Sequence, residues 1–326
     1  MTLVGRRPVL DAEALLRRFR VPAHFGDATF DTYRPDPDFP SQREGRDRVR
    51  RFAGAAAGKF RRSSAGKGIY LDGGFGVGKT HLLAALATQL GDRAAFGTFV
   101  EYTHLVGALG FQNARAALSE FRVVCIDEFE LDDPGDTVLM ARLMRELADA
   151  GVALAATSNT LPESLGMGRF AAEDFKREIQ ALATVFEVVT IDGPDYRHRG
   201  EMTFTVASDA DVTGVADKWG GYVVEWQELV DDLAHVHPSR LGAYIEGVRW
   251  LGIRNVAPLA DQTQALRVVN LVDRLYDADA SIVASGASLG DIFTPDMLAG
   301  GYRKKYFRAL SRLAAMSEPT EGATAA

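Results

Sequence analysis

Gly73-Gly74-Phe75-Gly76-Val77-Gly78-Lys79-Thr80 has the residue types and spacing to hold a chain of phosphates. The glycines let backbone N–H groups converge on phosphate oxygens with no Cβ in the way. A helix starting at the end of the run adds its partial positive charge. Lys79 is placed to reach the β- and γ-phosphates, and the Thr80 hydroxyl to bind Mg²⁺. These residues, with His81 after them, form the expected nucleotide-binding set, the His81 ring facing solvent.

Val123-Val124-Cys125-Ile126-Asp127-Glu128 supplies a second part. Its apolar residues make a buried strand, and the carboxylates at its C-terminal end face the phosphate loop, where ligands bind in such sheets. Asp127 is expected to hold Mg²⁺ through water, and Glu128 to orient and deprotonate an attacking water. The following Glu favours hydrolysis over transfer to a substrate hydroxyl, which disfavours a kinase. Ala155-Ala156-Thr157-Ser158-Asn159 supplies a third part, a strand ending in an amide that can sit between the water and the γ-phosphate. Ser-Asn alone is a common turn. In order after the other motifs it points to the AAA+ class of P-loop ATPases, with Asn159 as sensor 1. That class completes its site with an arginine from a neighbouring subunit, which stabilises charge on the γ-phosphate. Arg169 and Arg177 are the candidates on the segment after Asn159, with a surface ion pair as the alternative for each. A homo-oligomer follows from that need.

The elements that must position these groups alternate. Ile69-Tyr70-Leu71 reads as the strand before the loop, and Leu82, Leu86 and Leu90 fall on one face of the helix after it. Strand and helix then alternate over residues 97–102, 114–120, 122–126, 136–150, 152–157, 172–184 and 187–191. The expected fold class is α/β, a P-loop NTPase of AAA+ type, its parallel sheet flanked by helices, with a C-terminal α/β extension. Ser41 with Glu44 offers a capping box for a helix running to about Phe60. A strand is expected over 202–206. The expected domains are an N-terminal segment with a basic helix (1–62), the ATPase core (63–200), a C-terminal α/β region (201–316) and a disordered tail (317–326). Strand 123–126, helix 137–150 and strand 152–157 find an echo in 249–253, 262–276 and 281–285, which aligns Ile126 with Ile253 and Asn159 with Ala287. The echo lacks the carboxylates and the asparagine. It reads either as a degenerate duplicate extending the sheet or as the likeness any two βαβ segments share.

At 326 residues, 47% hydrophobic and 25% charged, the chain has an ordinary globular composition. No apolar run approaches the ~18–20 residues of a membrane span. The arginine-rich start lacks the apolar core of a secretory signal. Cys125 is the single cysteine, which excludes an intrachain disulfide and reads as a buried core thiol. A cytosolic protein fits these features. Net charge is −7, with 15 Lys+Arg against 8 Asp+Glu in residues 1–67 and 22 against 36 in the rest. The basic stretch 43–62 is suited to nucleic acid, an acidic partner or lipid headgroups, although a solvated surface helix is the favoured reading. The acidic remainder argues against broad non-specific DNA binding. The histidines form no metal set, so Mg²⁺ is the one metal implied. Trp219, Trp226 and Trp250 read as core or partner surface.

Motifs beyond the phosphate loop carry a family resemblance. They are Phe30-Asp31-Thr32-Tyr33-Arg34-Pro35-Asp36-Pro37, Pro40-Ser41-Gln42, and Asp127-Glu128-Phe129-Glu130 with Asp133 and Asp136. Gly151-Val152, Thr157-Ser158-Asn159 with Pro162, Asp195-Tyr196-Arg197, residues 271–277 and Ser311-Arg312-Leu313 complete them. Over about residues 30–313 the chain resembles the ZapE-type AAA+ ATPases, whose mitochondrial relatives are quality-control ATPases. It departs where Asp174-Phe175-Lys176-Arg177 replaces the family's Arg-Phe-Leu-Pro, which raises Arg169 or Arg177 as substitutes for the trans arginine. Leu161 and Gly166 stand where the family has a proline and a tyrosine, and residues 211–250 match poorly.

The resemblance implies a bacterial cytoplasmic ATPase of cell division, peripheral at the division site, using ATP and Mg²⁺ and acting on the tubulin-like FtsZ ring. It also implies that Tyr33 packs near the adenine and that Arg308 or Arg312 makes a sensor-2-like contact. The expected function is ATP hydrolysis coupled to regulation or remodelling of a protein partner. The alternative is a helicase-loader-like AAA+ protein acting on nucleic acid through 43–62, stimulated by single-stranded DNA and steeply salt-dependent.

Overall fold

Apolar runs of four to six residues alternate with amphipathic runs of about three turns, and each folds as its period dictates. The computed structural model describes residues 3–8, 12–58, 68–74, 76–130, 134–161, 165, 177, 180, 184–194 and 203–317. The chain divides into two units, Asp11–Arg199 and Met1–Leu10 with Gly200–Ala326.

In the first unit, parallel strands β1 (Gly68–Gly73), β2 (Ala94–Thr98), β3 (Val123–Asp127), β4 (Ala153–Thr157) and β5 (Phe186–Ile191) pair in the order β2-β3-β4-β1-β5. Parallel strands need crossovers, supplied here among the described residues by α3 (Lys79–Leu90), α4 (Phe99–Leu109), α5 (Phe111–Leu118) and α6 (Pro134–Asp149). Ahead of β1 come α1 (Ala12–Leu16) and α2 (Pro40–Ala57). Ile69, Leu71, Val123, Cys125 and Ala155 turn to the face that holds α2 and α3. Alternate residues such as Tyr70, Val124 and Ala156 turn to the other face. Register sets the site. Leu71 pairs with Thr157, and Thr98 with Asp127, so polar strand ends lie level at the edge where the phosphate loop leaves β1.

Two local expectations change. The strand expected over 97–102 is Ala94–Thr98, and Thr98 then caps α4. Its hydroxyl accepts from Glu101 N at 3.3 Å, and the Glu101 carboxylate accepts from Thr98 N at 2.7 Å. This capping box outweighs the strand propensity of Phe99-Val100. Ser41 is not a cap. Pro40 opens α2 in its first turn, where a missing N–H costs nothing, and Ser41 Oγ accepts from Asp192 N at 2.9 Å. The basic helix lays Val49 and Ala53 into the core, while Arg48 pairs with Glu187 and Arg50 with Asp31.

The second unit has its own parallel sheet, so the echo does not extend the first. Strands β6 (Tyr222–Glu225), β7 (Trp250–Val256) and β8 (Ser281–Gly286) lie in that order. Its helices are α7 (Asp209–Trp219), α8 (Trp226–Leu233), α9 (Leu241–Tyr244), α10 (Gln262–Asp277), α11 (Pro295–Ala299) and α12 (Arg303–Ser317). Leu251 and Ile253 join the buried cluster with residues of α8, α10 and α12. Gly252 faces α7, where an added Cβ would lie 2.9 Å from Val212 O. Residues 203–206 are irregular rather than a strand, although Ala207 N donates to Ala284 O at 2.8 Å. Trp226 is core, and Trp219 stacks on Trp250 with centroids 4.2 Å apart.

Residues 3–8 belong to this second unit, so the expected segment 1–62 is shared between the two. Leu3 is fully buried in the second core. Asp232 accepts from Gly5 N at 2.9 Å, from Arg7 Nη2 at 2.6 Å and from Tyr244 OH at 2.8 Å. Arg308 and Arg312 of α12 both bind Asp273 of α10, Arg308 at 2.7 Å. Burial pushes the Asp273 carboxyl upward, but Arg308, Arg312 and Arg274 outweigh it and hold it down at about 2. The arginines that the resemblance assigned to a nucleotide contact are thus engaged with Asp273. The helix expected over 172–184 falls mostly outside the described residues, as do Asp133, Asp195 and the tail 318–326.

Candidate nucleotide-binding site

The loop after β1 is shaped by its close neighbours. At Gly73 an added Cβ would lie 2.2 Å from Ile191 O. Gly78 takes φ +88°, and its Cβ would meet the Tyr33 ring at 2.5 Å. Tyr33 is buried, and its hydroxyl donates to Val77 O at 2.9 Å. The ring therefore abuts the loop backbone itself. His81 does not simply face solvent. Its Nε2 lies 2.9 Å from Thr29 O and 3.2 Å from Thr32 Oγ1, which ties segment 29–33 to α3. Gln42, to which the sequence assigned no role of its own, is 1% exposed. Its Nε2 donates to Asp192 O at 2.9 Å, and its Oε1 accepts from Asp36 N at 2.8 Å. The segment before α2 is thereby fastened to the turn after β5. Phe75 lies outside the described residues.

Lys79 is buried. Its Nζ donates to Gly73 O at 2.9 Å, Gly74 O at 2.5 Å and Asn159 Oδ1 at 2.9 Å. Thr80 Oγ1 donates to Asp127 Oδ1 at 3.1 Å, and Thr157 Oγ1 donates to the same oxygen. Glu128 follows in the left-handed region at φ +51°. Phe129 behind it is fully buried, with ring centroids 4.9 Å from Phe99 and 6.0 Å from Tyr70. The Asn159 turn is pinned to β1, since Ser158 N donates to Leu71 O at 2.9 Å and Tyr70 OH to Thr160 O at 2.7 Å. Beneath lies Cys125, whose thiol is pushed up by burial and by the Asp127 carboxylate and so stays protonated.

The AFG1-like ATPase family model matches residues 10–219 and 222–321, nearly the whole chain. The chain belongs to the AFG1-like ATPase family. Its parallel sheet, with a glycine-rich loop between β1 and α3, is the arrangement of a P-loop fold. Among similar proteins, the uncharacterized protein C115.02c of Schizosaccharomyces pombe is 32% identical over 155 residues, covering 42% of this chain and 34% of that protein. Cell division protein ZapE of Escherichia coli K12 is 32% identical over 145 residues, 41% of this chain and 39% of that protein. Lactation elevated protein 1 homolog B of Danio rerio is 24% identical over 281 residues, 67% of this chain and 55% of that protein. The chain thus spans well under two thirds of the length of each. A crystal structure of DnaI covers 53% of this chain and 93% of its own at 20% identity, with a TM-score of 0.44.

In this member of the AFG1-like ATPase family the structure joins Lys79 to Asn159 and the adjacent Thr80 to Asp127, with Glu128 next along the chain. Arg177 is exposed on a helical turn, and Arg169 lies outside the described residues. Among the described residues no group of three His, Cys, Asp or Glu could hold a metal alone. The Thr80 hydroxyl and Asp127 carboxylate are the hard oxygens Mg²⁺ accepts when phosphates and water complete its shell. No helix of the described residues is long and apolar enough to cross a membrane. Sequence reasoning gave Thr157 no chemistry of its own. The signal for it is a hydroxyl residue level with a carboxylate on the next strand.

Proposed function

We propose that this chain hydrolyses ATP at the phosphate loop and uses the turnover to regulate or remodel a protein partner, working as a homo-oligomer. The observation that carries this reading is the linkage of Lys79 to Asn159, and of Thr80 to Asp127, across three neighbouring strand ends. In this reading Gly73, Gly74, Phe75, Gly76, Val77 and Gly78 cradle the phosphates with backbone N–H groups. Lys79 exchanges its loop carbonyls for β- and γ-phosphate oxygens. Bound Mg²⁺ would neutralise phosphate charge, held by Thr80 and Asp127. Glu128 orients the attacking water and takes its proton, and Asn159 aligns it. Tyr33 and His81 act from behind, holding the loop and the start of α3. Arg169 or Arg177 serves the neighbouring subunit's site.

The partner reading is a cytoplasmic role at the division site with FtsZ as the target. It is supported by the likeness to a protein named for cell division, ZapE, over 41% of this chain. A capture experiment tests it. Glu128→Gln is expected to hold ATP without turnover, and Lys79→Ala to hold none. Division proteins recovered from lysate with ATP only on Glu128→Gln would support the reading. Nuclease-sensitive recovery of replication proteins would overturn it in favour of a helicase-loader-like role.

A further inference from the structure

Thr157 ends β4 and is 2% exposed. Its hydroxyl donates to Asp127 Oδ1 and accepts from Glu128 N at 3.1 Å. Its carbonyl accepts from Phe129 N at 2.7 Å. Three successive residues of the carboxylate turn are therefore gripped by one residue of the neighbouring strand. The carbonyl contact is available to any residue at this position. The other two need a hydroxyl, which has one proton to donate and lone pairs to accept with.

The turn needs such a grip. Glu128 at φ +51° occupies a region that side chains other than Gly, Asn and Asp visit rarely. Such a conformation persists where the surroundings over-determine it. Here the determinants are the amide bonds on either side of the Glu128 carbonyl and the burial of Phe129. The same hydroxyl fixes the carboxylate that also receives Thr80. We propose that Thr157 is a positioning residue that orients both carboxylates at once, Asp127 toward Thr80 and the metal, Glu128 toward the water. The inference rests on the ATPase reading above and adds to it a residue that touches neither nucleotide nor water.

The test compares the full-length chain with Thr157→Ser and Thr157→Val. Three quantities are read: kcat and KM for ATP, the affinity for a fluorescent ATP analogue in EDTA and in Mg²⁺, and the melting curve. Thr157→Val is expected to lose about 10–100-fold in kcat, the range seen when partners that orient metal ligands are removed. Its KM and its affinity in EDTA should stay within about 3-fold, while the gain in affinity on adding Mg²⁺ shrinks by about 10-fold. Thr157→Ser, which keeps the hydroxyl, should stay within about 3-fold of wild type throughout. Equal kcat in Thr157→Val and wild type would overturn the proposal. So would a Thr157→Ser as impaired as Thr157→Val, since that would mark the methyl group as the active part. If Thr157→Val does not melt cooperatively, Thr157→Cys takes its place, a weak donor of similar size expected to fall between the other two. A wild type that neither binds the analogue nor turns over ATP would sink the ATPase reading itself, and this inference with it.

Discussion

Two blocks of this chain share a frame and differ in what they do with it. Strands β2-β3-β4 and β6-β7-β8 are both parallel and both lie in chain order. Their registers match: Thr98 lies opposite Asp127 and Ile126 opposite Ala156, while Glu225 lies opposite Arg254 and Ile253 opposite Ala284. Two residues beyond the matched isoleucines, each block carries a left-handed residue, Glu128 at φ +51° and Asn255 at φ +55°. The first block adjoins β1 and its glycine loop, and its strand ends gather Thr80, Asp127, Thr157 and Asn159. In the second, the equivalent ends are spent on one another and on α7. Arg254 donates to Thr213 at 2.8 Å, Asn255 to Glu225 at 2.9 Å and Ser285 to Asp209 at 2.5 Å. The backbone turn at the strand end is thus part of the frame, and chemistry enters with the glycine loop and the carboxylates. Asn adopts the left-handed turn readily, whereas Glu does so at a cost. That cost is tolerated where the side chain must face the loop.

The comparison can be broken most decisively at the loop. Lys79→Ala is expected to lower ATP turnover by at least about 10²–10³-fold together with nucleotide affinity, measured as phosphate release and analogue binding. Glu128→Gln should lose about 10²–10⁴-fold in kcat while still binding nucleotide. Asn255→Gln, at the matching turn, should leave kcat within about 2-fold. A comparable loss in Asn255→Gln would mean that the second block takes part in catalysis.

Next in size is the buried ion group of the second block. Asp273→Ala should destabilise by about 1–3 kcal/mol, because it takes the buried carboxylate from the half-buried guanidinium groups of Arg308 and Arg312. The carboxyl is held at about 2, below its ordinary value of 3.8. A carboxyl depressed in the folded state stabilises above its unfolded value and loses that contribution as pH falls through its folded one. The stability margin of wild type over Asp273→Asn should therefore shrink between about pH 4 and pH 2, read by circular dichroism in urea. A margin that stays flat across that window would contradict the assignment. The smallest effect sharpens the turn comparison. Glu128→Gly should stabilise by up to about 1 kcal/mol through strain relief, and Asn255→Gly should change stability by less than about 0.5 kcal/mol, both from urea midpoints.

Contiguous signals were legible in the sequence, and contacts between distant segments were not. The phosphate loop, the carboxylate pair and the Ser-Asn turn each sit in a run whose flanks define strand and helix. The grip of Thr157 on residues 127–129 depends on the register of β3 against β4, which no single run reveals. Gln42 on Asp192 and His81 on Thr29 are likewise long-range. At Thr98 two local signals compete: the apolar Phe99-Val100 favours more strand, and the contiguous capping box with Glu101 prevails. The echo in the second block was legible as periodicity. Periodicity is the same whether strands join an existing sheet or build their own, so only the structure separates the two.

The docking of residues 3–8 in the core of the second unit has a consequence for how the chain is made. Synthesis delivers residues 3–8 more than two hundred residues ahead of the groups that receive them, Asp232 for Gly5 and Arg7 and Tyr244 for Arg6. At about 5–20 residues per second, the leading segment waits on the order of tens of seconds on the ribosome before its seat exists. The nucleotide-binding unit, Asp11–Arg199, is complete well before then. Residues 3–8 are therefore made before the first unit and buried after it, and a fusion placed ahead of them tests assembly of the second unit.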